Sequence, residues 1–140
     1  MQIIEEIKKG IYAHYQTTTL WTVDKIPIYQ DHVTRVAYPF ICFYHIASNN
    51  SMAMPTPSKA AGYDYVDSRF QFSLFSNDRT YTVLEDYANR LEDAFHRVPL
   101  TFANDVTHIG TIVINGRTKF WDAQQKIWTI NQDYRILAGK

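Results

Sequence analysis

The sequence predicts an α+β fold: a mainly antiparallel sheet packed by two helices, in the order α-β-β-β-α-β-β-β. Three observations lead there. Between Val66 and Leu74 the even positions are Val66, Ser68, Phe70, Phe72 and Leu74, and the odd ones Asp67, Arg69, Gln71 and Ser73. That period of two belongs to a strand with one buried face. The period then lengthens, and Leu84, Tyr87, Ala88, Leu91, Ala94, Phe95 and Val98 draw one apolar stripe along a helix. Near the C-terminus Trp128, Ile130, Tyr134 and Ile136 oppose Thr129, Asn131, Asp133 and Arg135, a second half-buried strand.

Taken in order, Ile3, Ile4, Ile7, Ile11, Tyr12 and Tyr15 lie at helical spacing opposite Glu5, Glu6, Lys8 and Lys9. They predict an amphipathic helix over 2–16, which Gly10 weakens by up to about 1 kcal/mol relative to alanine. Thr17, Thr18 and Thr19 end it, since consecutive β-branched residues favour extended chain. Ile26-Pro27-Ile28-Tyr29 fits a short edge strand, where proline is tolerated. Phe40 to Ile46 is apolar on both faces, as in a strand covered on both sides. This chain alone supplies that cover, or a neighbouring copy supplies one side of it. Residues 48–62 are small and polar, hold Pro55 and Pro57, and read as a flexible loop, either solvated or ordered against a partner.

Thr82 with Glu85 has the form of a capping box, and Pro99 ends the helix that follows. Asn115-Gly116 predicts a type I′ hairpin turn with Arg117–Trp121 as the return strand. Asp122–Lys126 makes a second turn. With no internal repeat and no linker, residues 1–140 read as a single domain.

Lysine plus arginine equal aspartate plus glutamate, so the net charge is zero. A protein that works by neutralising phosphates carries a basic excess, which disfavours nucleic acid as a main partner. The ten tyrosines suit interfaces as well as cores, because each ring buries while its hydroxyl stays wet. A lone Cys42 excludes an internal disulfide and any multi-cysteine metal site. No apolar run approaches membrane-spanning length and the N-terminus lacks a signal peptide's apolar core. The expectation is a soluble protein of a reducing compartment with no membrane partner.

Candidate chemistry is sparse. His14, His32, His45, His96 and His108 share no metal-ligand spacing. Cys42 and His45 lie three positions apart on one strand, hence on opposite faces, and cannot act as nucleophile and base together. The carboxylate pairs Glu5/Glu6, Glu85/Asp86 and Glu92/Asp93 fall on helix positions that face solvent. The aromatics Tyr63, Tyr65, Phe70, Phe72 and Phe75 lack interleaved lysine and arginine, so they read as core and interface rather than as a base-stacking platform. No phosphate loop or nucleophile elbow is present. The residues thus imply no enzyme, no catalytic or metal site and no cofactor. A small α+β enzyme or binding module using His45, Tyr44 or Asp67 in a cleft is the alternative from another class.

One pattern resembles a known family. It runs from Ile28-Tyr29 through Tyr38-Pro39-Phe40-Ile41 to Arg69-Phe70-Gln71-Phe72-Ser73-Leu74-Phe75. The long helix ending near Pro99 follows, then Phe120-Trp121-Asp122, Ile127-Trp128 and Tyr134-Arg135-Ile136. Over roughly residues 26–137 this layout is similar to the tail-terminator (tail-completion, tail-to-head joining) proteins of long-tailed bacteriophages. The resemblance implies a virion structural protein without catalysis, made in the host cytoplasm and placed at the tail–head junction. Six copies would form a ring that caps the tail tube, stops its polymerisation and meets the head–tail connector or stopper. DNA would pass through its channel without sequence-specific binding. A neck or head-closure protein, or another tail-assembly factor, is the near alternative. Ring contacts of this kind would draw on Phe40, Phe43, His45, Met52, Met54, Tyr63, Tyr65 and Arg69.

Overall fold

The computed structural model describes residues 2–31, 37–52, 64–114 and 116–139. The elements are α1 (Gln2–Tyr15), α2 (Thr19–Thr22), β1 (Ile28–Gln30), β2 (Phe40–Met52), β3 (Asp64–Ser76), α3 (Tyr81–Phe95), β4 (Thr107–Val113), β5 (Thr118–Asp122) and β6 (Ile127–Gly139). They form one six-stranded sheet in the order β1-β2-β3-β6-β4, with β5 also paired to β6. All pairs are antiparallel except β1 with β2.

The alternation in β3 and β6 sets the layers. Val66, Phe70, Phe72 and Leu74 face the same side as Ile130, Tyr134 and Ile136, and all are buried in one core. The apolar stripes of α1 (Ile3, Ile4, Ile7, Ile11, Tyr15) and α3 (Leu84, Ala88, Leu91, Phe95) close onto that side. Phe72 is the hub, its ring 5.6 Å from Phe43, 5.7 Å from Phe95 and 4.3 Å from Tyr134. The buried Tyr15 hydroxyl donates to the Ile26 carbonyl at 2.6 Å, tying α1 to the segment that enters β1. Both long helices therefore lie on one face of the sheet.

Several elements differ from their sequence signals. The carboxylate expected at the surface at Glu6 is buried, 3% exposed. It accepts from Asn104 Nδ2 at 2.8 Å and from Lys9 Nζ at 3.5 Å. Those bonds, Asn104's first, hold its carboxyl below the usual range. The capping box at Thr82 does not form, because α3 starts earlier, with Thr80 at the N-cap. Asp78 instead accepts from the Thr80 amide at 2.9 Å and hydroxyl at 2.8 Å, a side-chain turn just upstream. The threonine run does not lead into extended chain: Thr18 is the N-cap and Thr19 the first residue of the one-turn α2. The strands β2 and β3 pair from Phe40↔Phe75 to Met52↔Asp64, so residues 48–52 of the expected loop are strand.

The largest correction concerns Asn115-Gly116, of which Asn115 lies outside the described residues. The strands β4 and β5 do not pair with each other. They lie in line, both along β6, with Val113 opposite Tyr134 and Thr118 opposite Asn131. Between those pairs Ile114, whose amide donates to the Asp133 carbonyl at 2.9 Å, Gly116 at φ +104° and Arg117 interrupt the long edge formed by the two strands. The chain reverses instead at Asp122. Its carboxylate accepts the amides of Gln124 and Gln125 at 3.0 and 3.1 Å, and its carbonyl that of Lys126 at 2.7 Å.

Gly10 has a role that helix propensity hides. A Cβ there would lie 2.3 Å from the Phe102 ring and 3.2 Å from the Thr101 carbonyl oxygen, so the helix needs glycine for close approach. Gly10→Ala would gain up to about 1 kcal/mol of helix propensity but overpack this contact, at a cost of about 1–3 kcal/mol. A lower midpoint in urea unfolding is expected. An alanine variant more stable than the parent would show that the loop yields freely.

Candidate interaction face

The other face of the sheet carries the opposite set of side chains, and no element crosses it among the described residues. Its residues are those of the second parity: Phe40 and Cys42 on β2, Asp67, Arg69, Gln71, Ser73 and Phe75 on β3, and Ile127 to Leu137 at odd positions on β6. Cross-strand registry puts Phe40 opposite Phe75 and Phe75 opposite Thr129.

The face has two halves. At the apolar end Phe40 and Phe75 stack at 4.7 Å between ring centroids, and Tyr38 leans on Phe40 at 5.4 Å. With Phe120 and Ile127 these rings line a concavity of about 400 Å³. Phe120 is 56% exposed, an aromatic side chain left wet at the rim. At the charged end Arg135 donates from Nε and Nη2 to the Asp67 carboxylate at 2.8 and 2.5 Å. A second concavity of about 440 Å³ opens there between Ile46, Ile112 and this pair. Arg69 stands directly opposite Arg135 in the register. Like charges so placed repel, and Asp67 between them compensates. Its carboxyl is held below the ordinary range, first by the hydrogen bonds from Arg135 and then by the field of both arginines.

The sequence-predicted contact residues separate. Phe40 and Arg69 are on this open face. Phe43 is on the helix-covered face, buried and stacked on Phe72. His45 shares that covered side, 5.3 Å from Phe70, with Nε2 buried and unpaired among the described residues. Cys42 and His45 do lie on opposite faces, as their spacing requires. Met54 and Tyr63 fall outside the described residues, and of Met52 and Tyr65 only the backbone is described. Sequence reasoning did not single out Phe120, Ile127 or Arg135 for the face. The signal for Arg135 was present in the polar parity of β6; for Phe120 it was hidden by the mistaken hairpin.

Elsewhere the polar groups serve the fold. Arg117 donates to Glu92 Oε2 at 3.2 Å and Gln132 Oε1 at 3.0 Å, fastening the β4–β5 bulge to α3. Two histidine nitrogens accept backbone amides, His96 Nδ1 from Val113 and His108 Nδ1 from Leu100, both at 3.1 Å. Burial pushes the His108 pKa down, with His14 adding to the effect. Among the described residues no group of three or more His, Cys, Asp or Glu is placed to hold a metal, and no helix is long and apolar enough to cross a membrane.

No protein-family model and no curated protein matches the chain. Among solved structures, a chain from the virion of a native gene transfer agent particle has the same fold. It superposes with a TM-score of 0.73 at 11% identity, over 99% of this chain and 98% of that one. A second solved structure superposes with a TM-score of 0.52 at 11% identity, over 96% and 94% of the two chains.

The Asp67–Arg135 pair gives a pH signature. A carboxyl with a depressed folded pKa stabilises fully above its unfolded value, about pH 4, and the contribution is lost as pH falls below that. Arg135→Gln is expected to destabilise the protein near neutral pH and to cost progressively less as the pH falls below about 4, where Asp67 takes up its proton. Urea melts of both proteins across this range read the difference. An equal cost at both ends would mean that the arginine acts through packing.

Proposed function

We propose that this chain is a non-catalytic structural subunit of a phage-like particle, of the tail-terminator kind. In this reading about six copies close into a ring that caps the tail tube, stops its growth and presents a surface to the head–tail connector. The observation that carries the reading is the end-to-end likeness of fold to a chain of a gene transfer agent virion. The one-sided packing supports it. A sheet with helices on one face only, and an aromatic concavity on the other, is built to be covered by other protein. The open face is the contact surface, with Phe75 and the exposed Phe120 as anchors, Phe40 buried beneath them, and Arg69 and Arg135 as the polar part. DNA would cross the ring without base-specific contact, in keeping with zero net charge.

The test is the native mass, by light scattering, of the chain alone and with tail-tube protein. A closed oligomer is expected in at least one condition. Phe75→Asp should lower the oligomer fraction by about tenfold or more, as loss of a buried aromatic anchor does, while far-ultraviolet circular dichroism stays unchanged. A chain that remains monomeric in both conditions would contradict the reading.

A further inference from the structure

Sheet edges normally carry guards against pairing with other chains: charge, proline, a bulge or a covering segment. The edges of this sheet can be compared. On β4 the outer side is closed by the end of α3, since the Arg97 amide donates to the Thr111 carbonyl at 2.9 Å and His96 Nδ1 accepts the Val113 amide at 3.1 Å. The outermost strand β1 is three residues long, with Pro27 before it and Asp31 after it. The outer side of β2 differs. Here β1 pairs only as far as Gln30 opposite Phe43, with the Asp31 amide donating to the Phe43 carbonyl at 2.9 Å. From His45 to Met52 the strand continues beside β3 with no outer partner among the described residues. That stretch, His-Ile-Ala-Ser-Asn-Asn-Ser-Met, contains no Lys, Arg, Asp, Glu or Pro. Its one irregularity is the register shift between His45 and Ala47.

A second observation falls at the same place. His45 is the first covered-face residue beyond the end of β1, and its Nε2 is a buried polar atom without a partner among the described residues. Such atoms are costly, and a neighbouring polar group normally satisfies them. Across the sheet, β5 is the complementary case. All of its side chains but Asp122 are exposed, Phe120 at 56% and Trp121 at 38%, and its outer side has no strand beside it among the described residues. The directions also match. Since β5 opposes β6 and β6 runs as β2 does, a neighbouring copy's β2 laid outside β5 continues the antiparallel order.

We infer that the outer edge of β2 from His45 to Met52 is a strand-addition site, and that its occupant is the β5 edge, Thr118–Asp122, of a second copy of this chain. The pairing is head-to-tail, so each copy offers one edge of each kind and the contact propagates around a ring. The two edges lie at different heights along the strands: β5 is level with the start of β2, and the free stretch lies beyond it. Successive copies are then staggered, as tilted strands are in a closed barrel. This deepens the ring reading and rests on it.

Cysteine pairs test it in a Cys42→Ala background, with a short bis-maleimide linker and native mass measured in parallel. Ala47→Cys and Thr118→Cys in one chain are expected to give a ladder of covalent dimers, trimers and larger species. Either substitution alone should give none, and a mixture of the two single variants should stop at dimers. Covalent dimers from Ala47→Cys alone would overturn the inference in favour of two-fold pairing of identical β2 edges. An intact oligomer that yields no ladder would overturn it while leaving the ring reading in place. A chain that is monomeric throughout, even with tail-tube protein, would sink both.

Discussion

The structure depends on one asymmetry: a six-stranded sheet is covered by helices on a single face. Among the described residues two helices are long enough to cover a sheet, and α1 and α3 both bury their stripes against the Phe43–Phe72–Tyr134 side. The burial of those aromatic rings is what holds the fold, since truncating a residue such as Phe72 would cost about 3–5 kcal/mol. Among the described residues no helix covers the opposite face. Its apolar half is held by the Phe40–Phe75 stack and the rings of Tyr38 and Tyr29 against Phe40, and its polar half sets the Asp67 carboxylate beside two facing arginines.

How much of this was legible in the sequence follows from which signals are local. The period-two alternation of β3 and β6 and the period-3.6 stripes of α1 and α3 were read correctly, because each is enforced by one buried face. The doubly apolar run from Phe40 was the clue to the open face, and its inner members Ile41 and Phe43 did go to the core while Phe40 and Cys42 did not. Asn115-Gly116 misled because turn chemistry is only a local preference. The long partner β6 templates β4 and β5 in line, so the two do not pair with each other. The capping box lost to the Asp78 turn for a similar reason, since a nearby side chain satisfied the chain two residues earlier. Glu6 and Gly10 could not be read at all, because their neighbours Asn104 and Phe102 come from a loop far along the chain.

The open face and the bare stretch of β2 fit one picture. A self-sufficient monomer would guard its edges and polarise its surface. This one leaves Phe120 and Trp121 wet and, among the described residues, a run of uncharged strand without an outer partner, while side chains such as Arg117, Glu92, His96 and His108 fasten the bulge and backbone amides.

The most direct test of the one-sided design is hydroxyl-radical footprinting of the chain free and in its assembled form. The account predicts that oxidation of Phe75, Phe120 and Trp121 falls severalfold on assembly, as burial of aromatic anchors requires, while Tyr12 on the outer side of α1 is labelled equally in both. Equal labelling of the sheet aromatics, with protection confined to the helices, would contradict it.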